Sequence, residues 1–309
     1  MQAELAYIYA VYKAGSFSKA AENLYITQPA LSMSVKKIEA SLGMPLFDRT
    51  ARPLQLTEAG RIYVAGIEKM LALDEDIKNQ IHDINSLKIG SLCIGGSHYI
   101  NAYILPEAIA AFSAKYPGIS LELVEASSAL LADMLSDRLI DITFSCRDDL
   151  IANFGHTPAF TDHILLAVSP DIMELDCGLS AGEVLRGRHL EPGCPAIPNK
   201  ALDGLEYILL SEGNNLHDRA MTIFEEAGIR PRIRLEISQL ATSYHLARAK
   251  LGAAFISDRM IFPQEESLKF YRVDSAVTER QFYAVLPRRE YTSKAVRAFV
   301  EIVREELSV

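Results

Sequence analysis

Ser18-Lys19-Ala20-Ala21-Glu22-Asn23-Leu24-Tyr25-Ile26-Thr27-Gln28-Pro29-Ala30-Leu31-Ser32-Met33-Ser34-Val35-Lys36-Lys37-Ile38 carries the decisive pattern in this chain. Ser18 is a good N-cap for a short helix over Lys19 to Tyr25, and Ala20 and Ala21 are small enough for another helix to lie close. Thr27 caps a further helix with Pro29 in its first turn, where a missing N–H costs nothing. Leu31, Val35, Ile38 and Leu42 share one face of that helix, opposite Gln28, Ser32, Met33, Ser34, Lys36 and Lys37. Two helices joined by a tight Tyr25-Ile26-Thr27 connection, the second polar and basic outside, describe a helix-turn-helix whose second helix can enter a major groove, Gln28, Pro29 and Ser32 foremost. A three-helix bundle with a solvated face has the same periodicity.

Upstream, Ala3 to Lys13 places Leu5, Ile8 and Val11 at helical spacing, and Gly15 stops the helix. The run from Gly15 to Leu24, then Thr27 to Ser32, Ile38-Glu39 and Leu42-Gly43, followed by Leu46-Phe47-Asp48-Arg49 and Leu54-Gln55-Leu56-Thr57-Glu58-Ala59-Gly60, resembles the DNA-binding signature of LysR-type regulators. The match covers residues 3 to 60 with its spacings kept. It implies that Leu46 to Leu56 forms a wing, with Arg49 and Arg52 reaching the flanking backbone or minor groove, where guanidinium groups suit phosphates. The expected DNA contacts are therefore Ser18, Thr27, Gln28, Pro29, Ser32, Met33, Ser34, Lys36, Lys37, Arg49 and Arg52. Met33-Ser34 departs from the family, which often has long polar side chains there, so base readout is expected to lean on thymine methyls or DNA shape.

From Thr57 to Leu87 there is no proline, and Ile67, Met70, Leu73, Ile77, Ile81, Ile84 and Leu87 recur every three or four residues. One long helix with an apolar seam follows. At about 1.5 Å per residue it is too long to bury that seam on a small head, so a second copy is the expected partner. The resemblance implies an antiparallel dimer through this helix and, beyond it, a homotetramer.

Beyond Lys88 strands and helices alternate: strand Ile89 to Gly95, helix Tyr103 to Lys115, strand Ile119 to Glu125, helix Ala129 to Asp137, strand Ile140 to Ser145. A second set has strands near His163 to Val168, Tyr207 to Ser211, Ile233 to Ile237 and Ala253 to Ser257, with helices Leu216 to Ala227 and Gln239 to Lys250. Strands Lys269 to Val273 and Gln281 to Leu286 and helix Ser293 to Leu307 end the chain. Two α/β lobes with a crossing chain account for this order. The resemblance to the LysR-type effector domain continues more weakly here, through Leu105-Pro106, Tyr116-Pro117, the Leu139-Ile140-Asp141 turn and Lys250 to Ala254. It implies a fold similar to type 2 periplasmic binding proteins, with a small ligand between lobes; Asp258 stands where the family usually has proline.

The expected fold class is thus multidomain, α and α/β: a winged helix-turn-helix over 1–58, a linker and dimerisation helix over 59–87, and a two-lobed effector-binding domain over 88–309. Lobe I is expected over about 88–160 and 265–309, lobe II over about 161–264. Ligands of open α/β sheets sit beyond the carboxyl ends of strands, where helix N-termini favour anions. The candidate effector contacts there are Ser97, His98, Ser127, Ser128, Ser145, Arg147, Gly213, Asn214, Gln239 and Thr242, and a small organic acid or amino acid is the expected effector. Serines before helices are also natural caps, and Arg147 could equally pair with Asp148 or Asp149.

The net charge of −9 is unevenly spread: residues 1–60 carry +1, 61–87 carry −2, and the remainder −8. An acidic body repels DNA and confines contact to the N-terminal face, so total charge does not exclude double-stranded DNA as partner. Cys93, Cys146, Cys177 and Cys194 form no C-x-x-C pair; buried structural thiols are expected, with Cys177 and Cys194 a less common redox alternative. No signal-peptide pattern or eighteen-residue apolar run occurs, which points to the cytoplasm and away from membranes. The sequence offers no catalytic constellation, metal-ligand spacing or cofactor motif; G-x-S-x-G, P-loop and H-E-x-x-H patterns are missing, which disfavours an α/β enzyme. The function implied is an effector-modulated transcription regulator with RNA polymerase as a further candidate partner. A regulator whose pocket is vestigial is the alternative.

Overall fold

The computed structural model describes residues 3–51, 53–84, 90–287 and 292–307. Residues 3–84 cluster into one compact unit, and most of those from 90 onward into another.

In the first unit α1 (Ala3–Ala14), α2 (Phe17–Asn23) and α3 (Gln28–Leu42) precede a two-stranded hairpin of β1 (Phe47–Asp48) and β2 (Gln55–Leu56), and α4 (Glu58–Ile84) follows. Phe47 pairs with Leu56 and Asp48 with Gln55, antiparallel, which makes the expected wing. Ile8, Val11, Ala20, Ala21, Leu31, Val35, Ile38, Leu46, Phe47, Val64 and Ile67 form the core.

Three local expectations are corrected. Ser18 does not cap α2: the helix starts one residue earlier, Ser16 is the extended residue before it, and the Ser16 carbonyl accepts the Ala20 N–H at 3.0 Å. Tyr25 lies outside α2, at a φ of 56° that side chains other than glycine seldom adopt. Leu42 shares the apolar face of α3 by phase yet is 46% exposed, because the last turn of the helix runs past the core before Gly43 ends it in the left-handed region. Thr27 does cap α3, its hydroxyl accepting the Ala30 N–H.

The second unit opens with β3 (Gly90–Gly96), a π-helical turn at Ile100–Ile104, α5 (Leu105–Lys115), β4 (Ile119–Glu125), α6 (Ser128–Ser136), β5 (Ile142–Ser145), α7 (Asp148–Asn153) and the long β6 (Gly155–Val168). It continues through α8 (Ala181–Leu185), α9 (Asn199–Asp203), β7 (Glu206–Leu210), α10 (Asn215–Ala227), β8 (Arg232–Ile237), α11 (Leu240–Arg248), β9 (Ala254–Ser257), β10 (Lys269–Arg272), β11 (Glu279–Leu286) and α12 (Lys294–Leu307).

β3 pairs in parallel with β4 and β5, and β11 lies antiparallel between β5 and the first part of β6. From Ile164 on, β6 leaves β11 and pairs with β9 on one edge and β10 on the other. β7 and β8 run parallel, and Tyr207 bridges Ala253 beside β9. One strand of 14 residues therefore belongs to both lobes. Its last five residues, Ile164-Leu165-Leu166-Ala167-Val168, are buried at every position, as a strand covered on both faces must be.

Sequence patterning found only that apolar end, because residues 155–162 mix polar and apolar groups. β10 sits in the second lobe's sheet, so the return to the first lobe falls between β10 and β11 and not near residue 265 as expected.

Candidate nucleic-acid interface and ligand cleft

On α3, Gln28, Pro29, Met33, Lys36 and Lys37 are exposed and Ser32 and Ser34 half-buried, while Leu31, Val35 and Ile38 face the core. Met33 is 70% exposed, a large apolar side chain held out in water. Ser18 and Thr27 are exposed as well. Arg49 leaves the wing toward α3: Nη2 donates to Glu39 Oε2 at 2.9 Å, Nη1 approaches Ser32 Oγ at 3.4 Å, and the guanidinium lies 4.9 Å from the Phe17 ring centre. Glu39 Oε1 in turn accepts the backbone N–H groups of Leu46 and Phe47. Arg49 thus ties wing to helix while keeping about a third of its side chain exposed (36%). Arg52 lies outside the described residues. Sequence reasoning missed Tyr25, which is 96% exposed in the turn between α2 and α3; its position just past a helix end was the available signal.

In the second unit a cleft of about 550 Å³ gathers the carboxyl ends of β3, β4, β5, β7 and β8. Ser97, His98, Ser127, Ser128, Ser145, Arg147, Gly213, Asn214 and Gln239 all line it. Thr242 does not: it is exposed, nearly a turn into α11, its N–H bonded to the Gln239 carbonyl. The N-termini of α6, α10 and α11 converge there, and each leaves backbone N–H groups pointing outward. Ser127 and Asn214 cap α6 and α10 through Leu130 N and Leu216 N, whereas Gln239 makes no side-chain cap at α11. Ser145 Oγ accepts the Arg147 N–H. Arg147 is bound in a fork to Asp149 at 2.9 and 3.0 Å, which is the pairing that stood in the sequence as the alternative to an effector contact. Those hydrogen bonds hold Asp149 below the usual carboxylate range.

The cleft wall also contains residues that sequence reasoning passed over. Arg280 lines it from β11, and its Nε donates to Asp162 Oδ1 at 2.7 Å while Nη2 bonds Oδ2. Asp162 is fully buried and also accepts the Tyr99 and Ser257 hydroxyls. Burial opposes charge on Arg280, yet the Asp162 carboxylate outweighs it and holds the guanidinium protonated. Burial and the same carboxylate push the Tyr99 hydroxyl far above its ordinary range. Nη1 of Arg280 makes no hydrogen bond among the described residues. His98 Nδ1 and Thr143 Oγ1, both on the cleft wall, are buried without a partner. Cys146 also lines the cleft, donating to Asn215 Oδ1, and burial pushes its thiol up. All four cysteines are free thiols. No element of sequence spacing links Asp162 to Arg280; only the pairing of β6 with β11 does.

A winged helix-turn-helix joined in one chain to a two-lobed domain with a polar cleft defines a ligand-regulated DNA-binding protein. Residues 3–61 match the family described as "Bacterial regulatory helix-turn-helix protein, lysR family", and residues 85–308 match "LysR substrate binding domain". The chain belongs to the LysR family: it is a DNA-binding transcription regulator with an effector-binding domain, not an enzyme. Among its relatives, a "Probable RuBisCO transcriptional regulator" of Cyanidioschyzon merolae is 29% identical over 300 residues, 94% of this chain and 93% of that protein. "Uncharacterized HTH-type transcriptional regulator YcgK" of Bacillus subtilis is 28% identical over 302 residues, 94% of this chain and 90% of that one. Full-length CbnR complexed with its target DNA shares the fold at TM-score 0.69 and 21% identity, covering 99% of each chain. A full-length OxyR variant from Pseudomonas aeruginosa does so at 0.71 and 21%, covering 98% of this chain and 94% of that one. Among the described residues no helix is long and apolar enough to cross a membrane.

Proposed function

We propose that this regulator binds a pseudo-palindromic DNA site as a homodimer joined through α4, assembling further to a homotetramer, and that a small organic acid or amino acid in the cleft shifts the balance between lobe arrangements. The exposed outer face of α3 is the reading surface, with Gln28, Pro29, Ser32, Met33 and Ser34 toward bases and Thr27, Ser18, Lys36 and Lys37 toward phosphates. Arg49 serves the wing as brace and phosphate contact together, and Arg52 continues it. The head spans 1–58, the linker helix 59–87 and the effector domain 88–309. The protein acts where chromosomal DNA is, in the cytoplasm, with RNA polymerase as the partner downstream.

One observation carries the effector reading: a 550 Å³ cleft whose wall holds the buried, unpartnered His98 Nδ1 and Thr143 Oγ1 among three helix N-termini. Buried polar atoms without partners cost about 1–3 kcal/mol each, and a polar ligand would remove that penalty. Converging N–H groups favour its carboxylate, and Glu125 and Glu212 at the rim suit an amine.

A melting screen of the full-length protein against small carboxylic and amino acids tests this, since a ligand at about a hundred times its Kd adds roughly 2.7 kcal/mol to stability. Footprinting of the DNA upstream of the gene, with and without the hit, reads the coupling. If no compound moves the melting point while sequence-selective footprints persist, the pocket is vestigial and control lies in assembly.

A further inference from the structure

We propose that His163, His189 and Asp258 form a binding site for a divalent transition-metal ion at the strand that crosses between the two lobes. His163 lies on β6, where its Cα partner is still Glu279 of β11 and the next residue already pairs with β9. His189 comes from a 3-10 turn at Arg188–Leu190, and Asp258 opens another at Asp258–Met260. Three segments far apart in sequence thus bring one ligand atom each to within 4.8 Å of one another. This is why no ligand spacing was visible in the sequence, where no metal site was expected.

The distances suit a metal. Asp258 Oδ2 is 3.3 Å from His163 Nδ1 and 3.0 Å from His189 Nε2. Ligands bound at about 2.0–2.1 Å in tetrahedral array stand roughly 3.3 Å apart, so a cation can replace the shared protons with little movement of the backbone. The carboxylate is already oriented: Oδ1 accepts the His163 backbone N–H at 3.0 Å and lies 3.3 Å from Ser257 Oγ. Both of its ion-pair contacts are to the two imidazoles. Arg259, the neighbouring cation, is turned to the carbonyls of Thr161 and Leu307 and does not neutralise it.

Two imidazoles and one carboxylate select zinc or a similar borderline ion over magnesium or calcium. The site is closed on two sides and open on the third. The side chains of His189 and Asp258 are 5% and 9% exposed, whereas that of His163 is 27% exposed, leaving an entry path and room for a solvent ligand. Asp162, which holds Arg280, and Ser257, whose hydroxyl donates to Asp162, directly adjoin two of the three ligands in sequence. A bound ion would therefore fasten the crossing strand to both turns and stiffen the back of the cleft.

The test uses full-length protein without a polyhistidine tag, stripped with a chelator and titrated with Co(II) and Zn(II), the latter against a competing chromophoric chelator. The expected result is about one ion per chain, a Co(II) d–d spectrum of tetrahedral intensity and a higher melting temperature. His163→Gln, at the half-open position, should keep the chelated protein's melting curve and weaken binding by roughly tenfold or more. Asp258→Asn and His189→Gln should behave alike where they fold. Uptake equal in wild type and His163→Gln would assign the ion to cysteines or surface groups and overturn the proposal, as would failure of the wild type to compete with the chelator.

Discussion

Arg49 and Glu39 join the wing to the recognition helix through a 2.9 Å ion pair, and the other oxygen of Glu39 is spent on the N–H groups of Leu46 and Phe47. The guanidinium also lies over Phe17, so one side chain touches α2, α3 and the hairpin. Arg49→Ala is expected to lower the stability of the N-terminal unit by about 1 kcal/mol, the pair being partly solvated, and to weaken DNA binding through a loosened wing. Arg49→Lys should not restore it, because an ammonium has neither the fork nor the flat face. Thermal melts and fluorescence anisotropy on the three proteins check both.

Lys36 and Lys37 stand exposed on the same helix. Replacing either with Ala should leave the melting temperature unchanged and weaken all DNA sequences alike. The slope of log affinity against log salt should fall by about one for each phosphate that is no longer neutralised. A salt titration separates them from Gln28→Ala, which should instead relax sequence preference.

The N-terminal unit was legible because its signals are local: a cap at Thr27, a proline in the first turn, and apolar residues at helical spacing from Leu31 to Ile38. Even there the start of α2 escaped, since the helix begins after Ser16, whose carbonyl accepts the Ala20 N–H, and not after Ser18. The cleft was legible as a series of strand ends, nine of whose ten residues line it. Its buried centre was not. Asp162 and Arg280 are 118 positions apart and meet only through the register of β6 on β11, as His163, His189 and Asp258 meet only through folded turns. The polar first half of β6 gives no period to follow, so the strand that joins the lobes was half seen.

Gly60 at the start of α4 is where the helix passes the hairpin. A Cβ there would stand 2.0 Å from the Leu46 carbonyl oxygen, which is backbone and cannot step aside as a side chain would. Gly60→Ala should therefore cost the N-terminal unit about 1–3 kcal/mol despite alanine's better helix propensity. Gly66→Ala, with open space around it, should be neutral or stabilising, and denaturant titration of the two variants gives the contrast.

Asp162→Asn removes the charge that Arg280 needs while keeping the shape. Both partners are buried, so the guanidinium is left uncompensated and the expected loss is about 3–5 kcal/mol. Arg280→Met in the same chain should recover most of it, because a pair of neutral groups carries no buried charge. A double-mutant cycle in urea measures the coupling. If the single and double variants lose the same stability, the pair contributes packing and little electrostatics.

Along α4, Val64 and Ile67 are buried in the head, whereas Met70, Leu73 and Ile77, further along the same seam, are 50%, 51% and 50% exposed. Ile81 and Ile84 continue the seam in sequence, though their side chains, like all of Leu87, lie outside the described residues. A half-exposed apolar row is unfavourable in water until something covers it, and a second copy of the helix offers a matching row under two-fold symmetry. Ile77→Asp leaves the head's core untouched, so the monomer should fold as before. Its mass by light scattering should fall toward that of one chain, 34.2 kDa, while the wild type remains a multiple of it. Binding to a two-half-site duplex should drop far more than binding to a single half-site, because the variant gives up avidity while each reading head stays intact. An unchanged mass would mean that this stretch of the helix faces solvent in the assembly and that the subunits join elsewhere.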